Sequence, residues 1–171
     1  MTMPRQRPYR SKQDYTTPQV FIDAVKMWLD IRTFAFDFAA DKTNTKAVRY
    51  RTEQDDSLSI PATEWARHCG QGWGWLNPPF ARIEPWVQMC ILACFNTRAG
   101  GARIALLVPA SVGSNWYRDN IHQQPGVNVL FLNGRIPFMP DKPTWLYPKD
   151  TMLVLFGTGQ PFQSDVWTWR H

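Results

Sequence analysis

The run Trp73-Gly74-Trp75-Leu76-Asn77-Pro78-Pro79-Phe80 constrains the fold of this chain more tightly than any other stretch. Its first four residues, aromatic and bounded by glycine, read as a short buried strand. The two prolines that follow lack backbone donors and fix their own φ, so the strand must end in a stiff turn. Pro78 also biases Asn77 away from the helical region. What results is a rigid corner at which a side-chain amide, free carbonyl oxygens and an aromatic face converge.

The remaining apolar pattern alternates between two periods. Val20, Phe21, Ala24, Val25, Trp28 and Leu29 recur at helical spacing after Thr17-Pro18, which reads as an N-cap followed by proline at the first helical position. Phe34, Phe36 and Phe38 alternate as in a strand ending near Asp41, and residues 47–52 form a second short strand candidate. A polar turn over 55–60 and a short helix over 61–67 precede the corner. Pro85 starts another helix with Trp86, Val87, Cys90, Ile91, Cys94 and Phe95 on its apolar side, stopped by Gly100-Gly101. Residues 103–108 read as a buried strand, 114–121 as a helix, and 127–132 and 152–156 as the last strands. Helices alternating with apolar strands predict an α/β sheet with helices on both faces. The last two strands have no helix between them, so an antiparallel hairpin at one edge of a mostly parallel sheet is expected.

With 171 residues and 44% hydrophobic content, the chain is long enough for a full core, and it carries nine tryptophans. No apolar stretch approaches the roughly 20 residues that span a bilayer. Cys69, Cys90 and Cys94 lack metal-ligand spacing, so no metal is expected. The reading is a reduced, cytoplasmic protein. Net charge is +5, and the segment to Asp14 contributes +3 of it through Arg5, Arg7, Arg10 and Lys12. Residues 1–13 are therefore read as a basic flexible tail, with Arg10 and Lys12 suited to phosphate contacts, and 14–171 as a single domain.

Ligands of open α/β sheets bind beyond the carboxyl ends of the strands. Here those ends are residues 37–41, 77–80 and 109–111, predicted to converge on one crevice. An exocyclic amine such as adenine N6 is a poor nucleophile because its lone pair is delocalised into the ring. Acceptors aimed at its hydrogens favour the pyramidal geometry needed for attack, and the Asn77 oxygen and Pro78 carbonyl can supply them. Phe80 can stack on the base, a contact worth about 1–3 kcal/mol.

At these residues the sequence resembles the phage-type adenine-N6 DNA methyltransferases of the Dam group. The likeness runs from about Asp14 to Gly157. It rests on Tyr15-Thr16-Thr17-Pro18, on 36–41 with Asn44 and Lys46, on Asp56-Ser57-Leu58 with Trp65, and on 75–80. Farther on it rests on Trp86, 107–110, Trp116, Gly134-Arg135-Ile136 with Phe138, and 152–156. The resemblance implies a Rossmann-like methyltransferase fold, S-adenosylmethionine as methyl donor and double-stranded DNA as substrate. It implies catalytic roles for Asn77, Pro78, Pro79 and Phe80. It also implies cofactor contacts from Tyr15, Thr17, Pro18, Asp37, Ala39 and Asp56, with Asp55 able to replace Asp56. Ala39-Ala40 stands where methyltransferases usually carry glycines. No length remains for a large target-recognition domain, so readout is assigned to the 135–148 loop, with Arg135, and to the tail. Two alternatives stay open: the same chemistry on an amine of RNA or protein glutamine, and a non-catalytic DNA-binding module.

Overall fold

A computed structural model describes residues 16–96, 101–138 and 146–170. In chain order these form α1 (Gln19–Trp28), β1 (Phe36–Asp37), 3-10 turns at Glu53–Asp55 and Ser57–Ser59, α2 (Ala62–Cys69) and β2 (Trp73–Leu76). They continue with α3 (Glu84–Phe95), β3 (Arg103–Pro109), α4 (Asn115–Asn120), β4 (Val127–Asn133), β5 (Thr151–Phe156) and β6 (Gln163–Thr168). Six strands make one sheet in the order β1-β2-β3-β5-β4-β6. β5 runs antiparallel to both of its neighbours, while the pairs β1–β2, β2–β3 and β4–β6 are parallel. This is the mostly parallel α/β sheet expected from the alternating pattern. The antiparallel pair expected from the last two apolar runs forms between β4 and β5. A strand that the pattern did not announce, β6, borders that pair and is the true edge.

β3 shows why the sheet needs cover on both sides. All of Ile104, Ala105, Leu106, Leu107 and Val108 are 0% exposed, as a strand with helices above and below requires. Ile104, Leu106 and Val108 pack with Trp65 of α2 and with Val87 and Cys90 of α3. Ala105 and Leu107 point the other way, into a cluster with Phe21, Ile22 and Val25 of α1. Each fully buried Val, Leu, Ile or Phe side chain in these clusters contributes about 1.5–3 kcal/mol. Trp65, Trp73 and Trp75 lie in these clusters; for Trp73 and Trp75 this is the burial expected of their strand.

Two local expectations change. α1 has Pro18, not Thr17, at its N-cap, and no side chain caps it; the Thr17 hydroxyl is engaged elsewhere. The strand expected over 34–41 shortens to Phe36–Asp37, and residues 47–52 contribute a single bridge, Tyr50 to Asp37, instead of a strand. The chain leaves the sheet there because Ser57 Oγ donates to Phe38 O at 2.6 Å and Trp65 Nε1 donates to Ser57 O at 2.9 Å. Trp65 also stacks on Phe38 with ring centroids 4.0 Å apart. These contacts fix the loop after β1 against α2.

Candidate active site

β1 and β2 end side by side, with Phe36 opposite Gly74 and Asp37 opposite Trp75. The segments that leave them emerge together. A cleft of about 630 Å³ opens there, lined by Thr17, Asp37, Ala39, Asn44, Lys46 and Asn77 among others.

Asp37 is 2% exposed. Its Oδ1 accepts from the Ala39 N–H at 3.2 Å and its Oδ2 from the Lys46 N–H at 2.8 Å. Burial pushes the carboxyl up to about 6, and the two backbone donors and the Lys46 ammonium offset this only in part. Burial also lowers the Lys46 ammonium below its ordinary value, against the opposite pull of Asp37. Lys46 Nζ donates to Asn44 Oδ1. A buried acid and a half-buried base thus line one cleft, which makes it a candidate functional site.

Asn77, just past the end of β2, lines the same cleft. Its Nδ2 donates to Thr17 Oγ1 at 3.0 Å, which orients the amide. Its Oδ1 is buried and has no hydrogen-bond partner among the described residues. An acceptor left in that condition costs about 1–3 kcal/mol. The Pro78 carbonyl next to it accepts no backbone hydrogen bond among the described residues.

The proline turn carries the chain away from this cleft, so Phe80 faces a second one of about 570 Å³, together with Pro109, Ser111 and Trp116. Phe80 packs edge-on against Tyr147 and Phe138, with centroids 5.5 and 6.0 Å away. The predicted single crevice therefore resolves into two. The ends of β1 and β2 share the first, and the end of β3 joins Phe80 at the second. Pro79 lies between them, on a smaller hollow of about 140 Å³ with Trp86 and Asp56 that shares Ala39, Ala40, Thr52 and Glu53 with the first cleft.

The remaining sequence candidates divide. Asp56 is exposed with φ of 44°, and its Oδ1 accepts from the Leu58 N–H at 3.1 Å, capping a 3-10 turn. Asp55 Oδ2 accepts from the N–H and hydroxyl of Thr52, both at 2.8 Å. Arg135 lines none of these clefts and pairs with Asp150 at 3.7 Å. Tyr15, Arg10 and Lys12 lie outside the described residues.

A family model described as DNA N-6-adenine-methyltransferase (Dam) matches residues 6–164. The chain belongs to the Dam family. No curated protein matches it in sequence. Among solved structures, it is similar to a modification subunit of a putative type I restriction enzyme from Vibrio vulnificus YJ016. Identity there is 15%, TM-score 0.41, over 74% of this chain but only a third (33%) of that one. It is also similar to a predicted O-methyltransferase from Agrobacterium tumefaciens, at 11% identity and TM-score 0.42, over 86% and 84% of the two chains. Likeness at these identities and TM-scores assigns no substrate to this chain.

In this Dam-family chain, sequence reasoning passed over three cleft residues. Lys46 and Asn44 were visible only as members of a matching segment, because Lys46 meets Asp37 from nine positions farther along the chain. Glu53 faces both the first cleft and the small hollow, yet in sequence it is one acid among several in a polar turn. Among the described residues, no helix is long and apolar enough to cross a membrane, and no acid, histidine and cysteine cluster suits a metal.

Proposed function

We propose that the chain transfers a methyl group from S-adenosylmethionine to the N6 amine of an adenine turned out of double-stranded DNA. The unpartnered, buried Asn77 Oδ1, held in orientation by Thr17, carries this reading.

The first cleft suits the cofactor chemically. Its volume of about 630 Å³ lies within the usual range for small-molecule sites. The methionine end of the cofactor is a zwitterion, and the wall offers a carboxylate at Asp37 and an ammonium at Lys46. Glu53 is placed to accept from ribose hydroxyls, with Asp56 beyond it on the small hollow. When bound, the cofactor supplies a methyl group activated by a sulfonium.

The chain's own residues prepare the amine. Asn77 Oδ1 and the Pro78 carbonyl hold its two hydrogens, which draws the nitrogen lone pair out of conjugation and aims it at the first cleft. Neither acceptor needs to reorganise as the reaction proceeds, and removing one such preorganised group typically costs about 3–4 kcal/mol of barrier stabilisation. Pro79 fixes the turn. Phe80, braced by Phe138 and Tyr147, presents a ring to the base in the second cleft. Turning the base out of a duplex costs a few kcal/mol, which stacking on Phe80 offsets in part.

The test is Asn77→Ala, assayed for methyl transfer to DNA and for S-adenosylmethionine binding by calorimetry. Transfer is expected to fall by at least 100-fold while cofactor affinity changes less than threefold. Near-normal turnover would remove Asn77 from the mechanism.

A further inference from the structure

The second cleft holds more than Phe80 needs. Trp116, half-buried at the start of α4, lines it from the side of β3, and the exposed cations Arg82 and Lys149 lie on the two loops that bound it. Neither cation forms an ion pair among the described residues. This contrasts with Arg67, Arg118 and Arg135, each of which has an acid partner. One acid, Glu84, also lines the cleft, leaving its charge positive. Aromatic faces interleaved with unpaired cations are the arrangement that binds single-stranded nucleic acid: rings stack on bases, while cations track the backbone. A flat cationic surface would serve intact duplex as well. A concave cleft with two aromatic walls serves bases that have left the stack.

We propose that this cleft takes a short single-stranded segment of DNA, not the target base alone. Trp116 stacks on a base next to the one held at Phe80, and Arg82 and Lys149 contact the phosphates on either side. This inference rests on the reading of Phe80 as the target-base contact and extends it to neighbouring nucleotides. It follows that the chain binds unpaired DNA more tightly than duplex of the same sequence, because no pairing has to be broken first.

The test uses the full chain and a fluorescent 12-nucleotide oligodeoxynucleotide, single-stranded or annealed, with affinity read by anisotropy across salt concentrations. Single-stranded DNA is expected to bind at least tenfold tighter than duplex. The double variant Arg82→Ala/Lys149→Ala is expected to flatten the salt dependence of single-strand binding by about 1.4 in log-log slope, from two phosphate contacts at about 0.7 each. Trp116→Ala should weaken single-strand binding by roughly 5–100-fold, in line with one lost stack. Because Trp116 also packs against the core, Trp116→Phe should retain most of the affinity if stacking is its role. An unchanged salt slope in the exposed-cation variant overturns the proposal, as does equal or tighter binding of duplex, or tighter binding of RNA of the same sequence. Methyl transfer is scored separately. A chain that binds as expected but transfers no methyl contradicts the proposed activity and leaves the cleft assignment standing. Normal transfer with unchanged binding in both variants does the reverse.

Discussion

Asp37 allows the cofactor site to be tested through folding stability. Its carboxyl sits at about 6 in the folded chain against 3.8 for an ordinary aspartate, because burial disfavours the charged form. The difference is about two pH units, and at 1.36 kcal/mol per unit it amounts to roughly 3 kcal/mol. A raised carboxyl contributes its full relative stability below 3.8 and loses it as pH rises through about 6. At neutral pH the ionised Asp37 therefore opposes folding. His68 acts in the opposite sense within the same window: burial and Arg49 lower its pKa, so its share of stability is lost as pH falls. The wild-type curve alone would mix the two. Comparison with Asp37→Asn isolates the aspartate. Urea unfolding of both proteins from pH 4 to 7.5 should show wild type losing roughly 3 kcal/mol relative to the variant across that range. S-adenosylmethionine should reverse the trend, since an ammonium placed on Asp37 favours its ionised form. Cofactor affinity should accordingly fall about tenfold per pH unit below 6, and the variant should lack that dependence. A stability difference independent of pH would refute the burial argument. Cofactor affinity flat in pH would remove Asp37 from the site.

Two further outcomes follow from the geometry around Asn77. Thr17→Val keeps the shape of a side chain that is 1% exposed but removes the acceptor for Asn77 Nδ2; kcat should fall roughly 10–100-fold with little change in KM for cofactor, and Thr17→Ser should restore it. The cost in stability, from one buried donor left unpaired, should be about 1–3 kcal/mol by urea unfolding; an unchanged kcat would mean that the amide needs no positioning by Thr17. Gly74→Ala places a methyl 2.7 Å from Phe38 Cε2 and 2.9 Å from Cys69 Sγ, both within the core behind the corner. Overpacking of that kind costs about 1–3 kcal/mol, so a thermal midpoint equal to wild type would contradict the packing between β2, Phe38 and α2.

Much of this architecture could be read from the sequence because the elements that matter are apolar and long enough to show a period. β3 and β5 are continuous buried runs, and α1 repeats its apolar residues every three to four positions. β1 is shorter than its alternating phenylalanines predict, for a specific reason. Phe34 and Phe38 alternate correctly but are buried against other neighbours, while the Asp37 carboxylate draws the Ala39 and Lys46 N–H groups into a loop. β6 escaped notice because Gln163, Ser164, Asp165, Val166 and Thr168 are exposed, leaving no apolar alternation to detect. Its pairing with β4 is a long-range event with no local signal. The corner at Asn77 was legible because proline chemistry acts locally. The partnership of Asp37 with Lys46, the use of Thr17 to hold an amide, and the division of one expected crevice into two all depend on contacts between distant segments.

The most direct measurement is transfer of labelled methyl from S-adenosylmethionine to unmethylated duplex DNA, followed by digestion to nucleosides and mapping of the modified positions. Label is expected to be recovered as N6-methyladenine, at defined sites. Label found on cytosine, on RNA or on protein in preference to DNA, or no incorporation by a chain that binds the cofactor, would contradict the proposed activity.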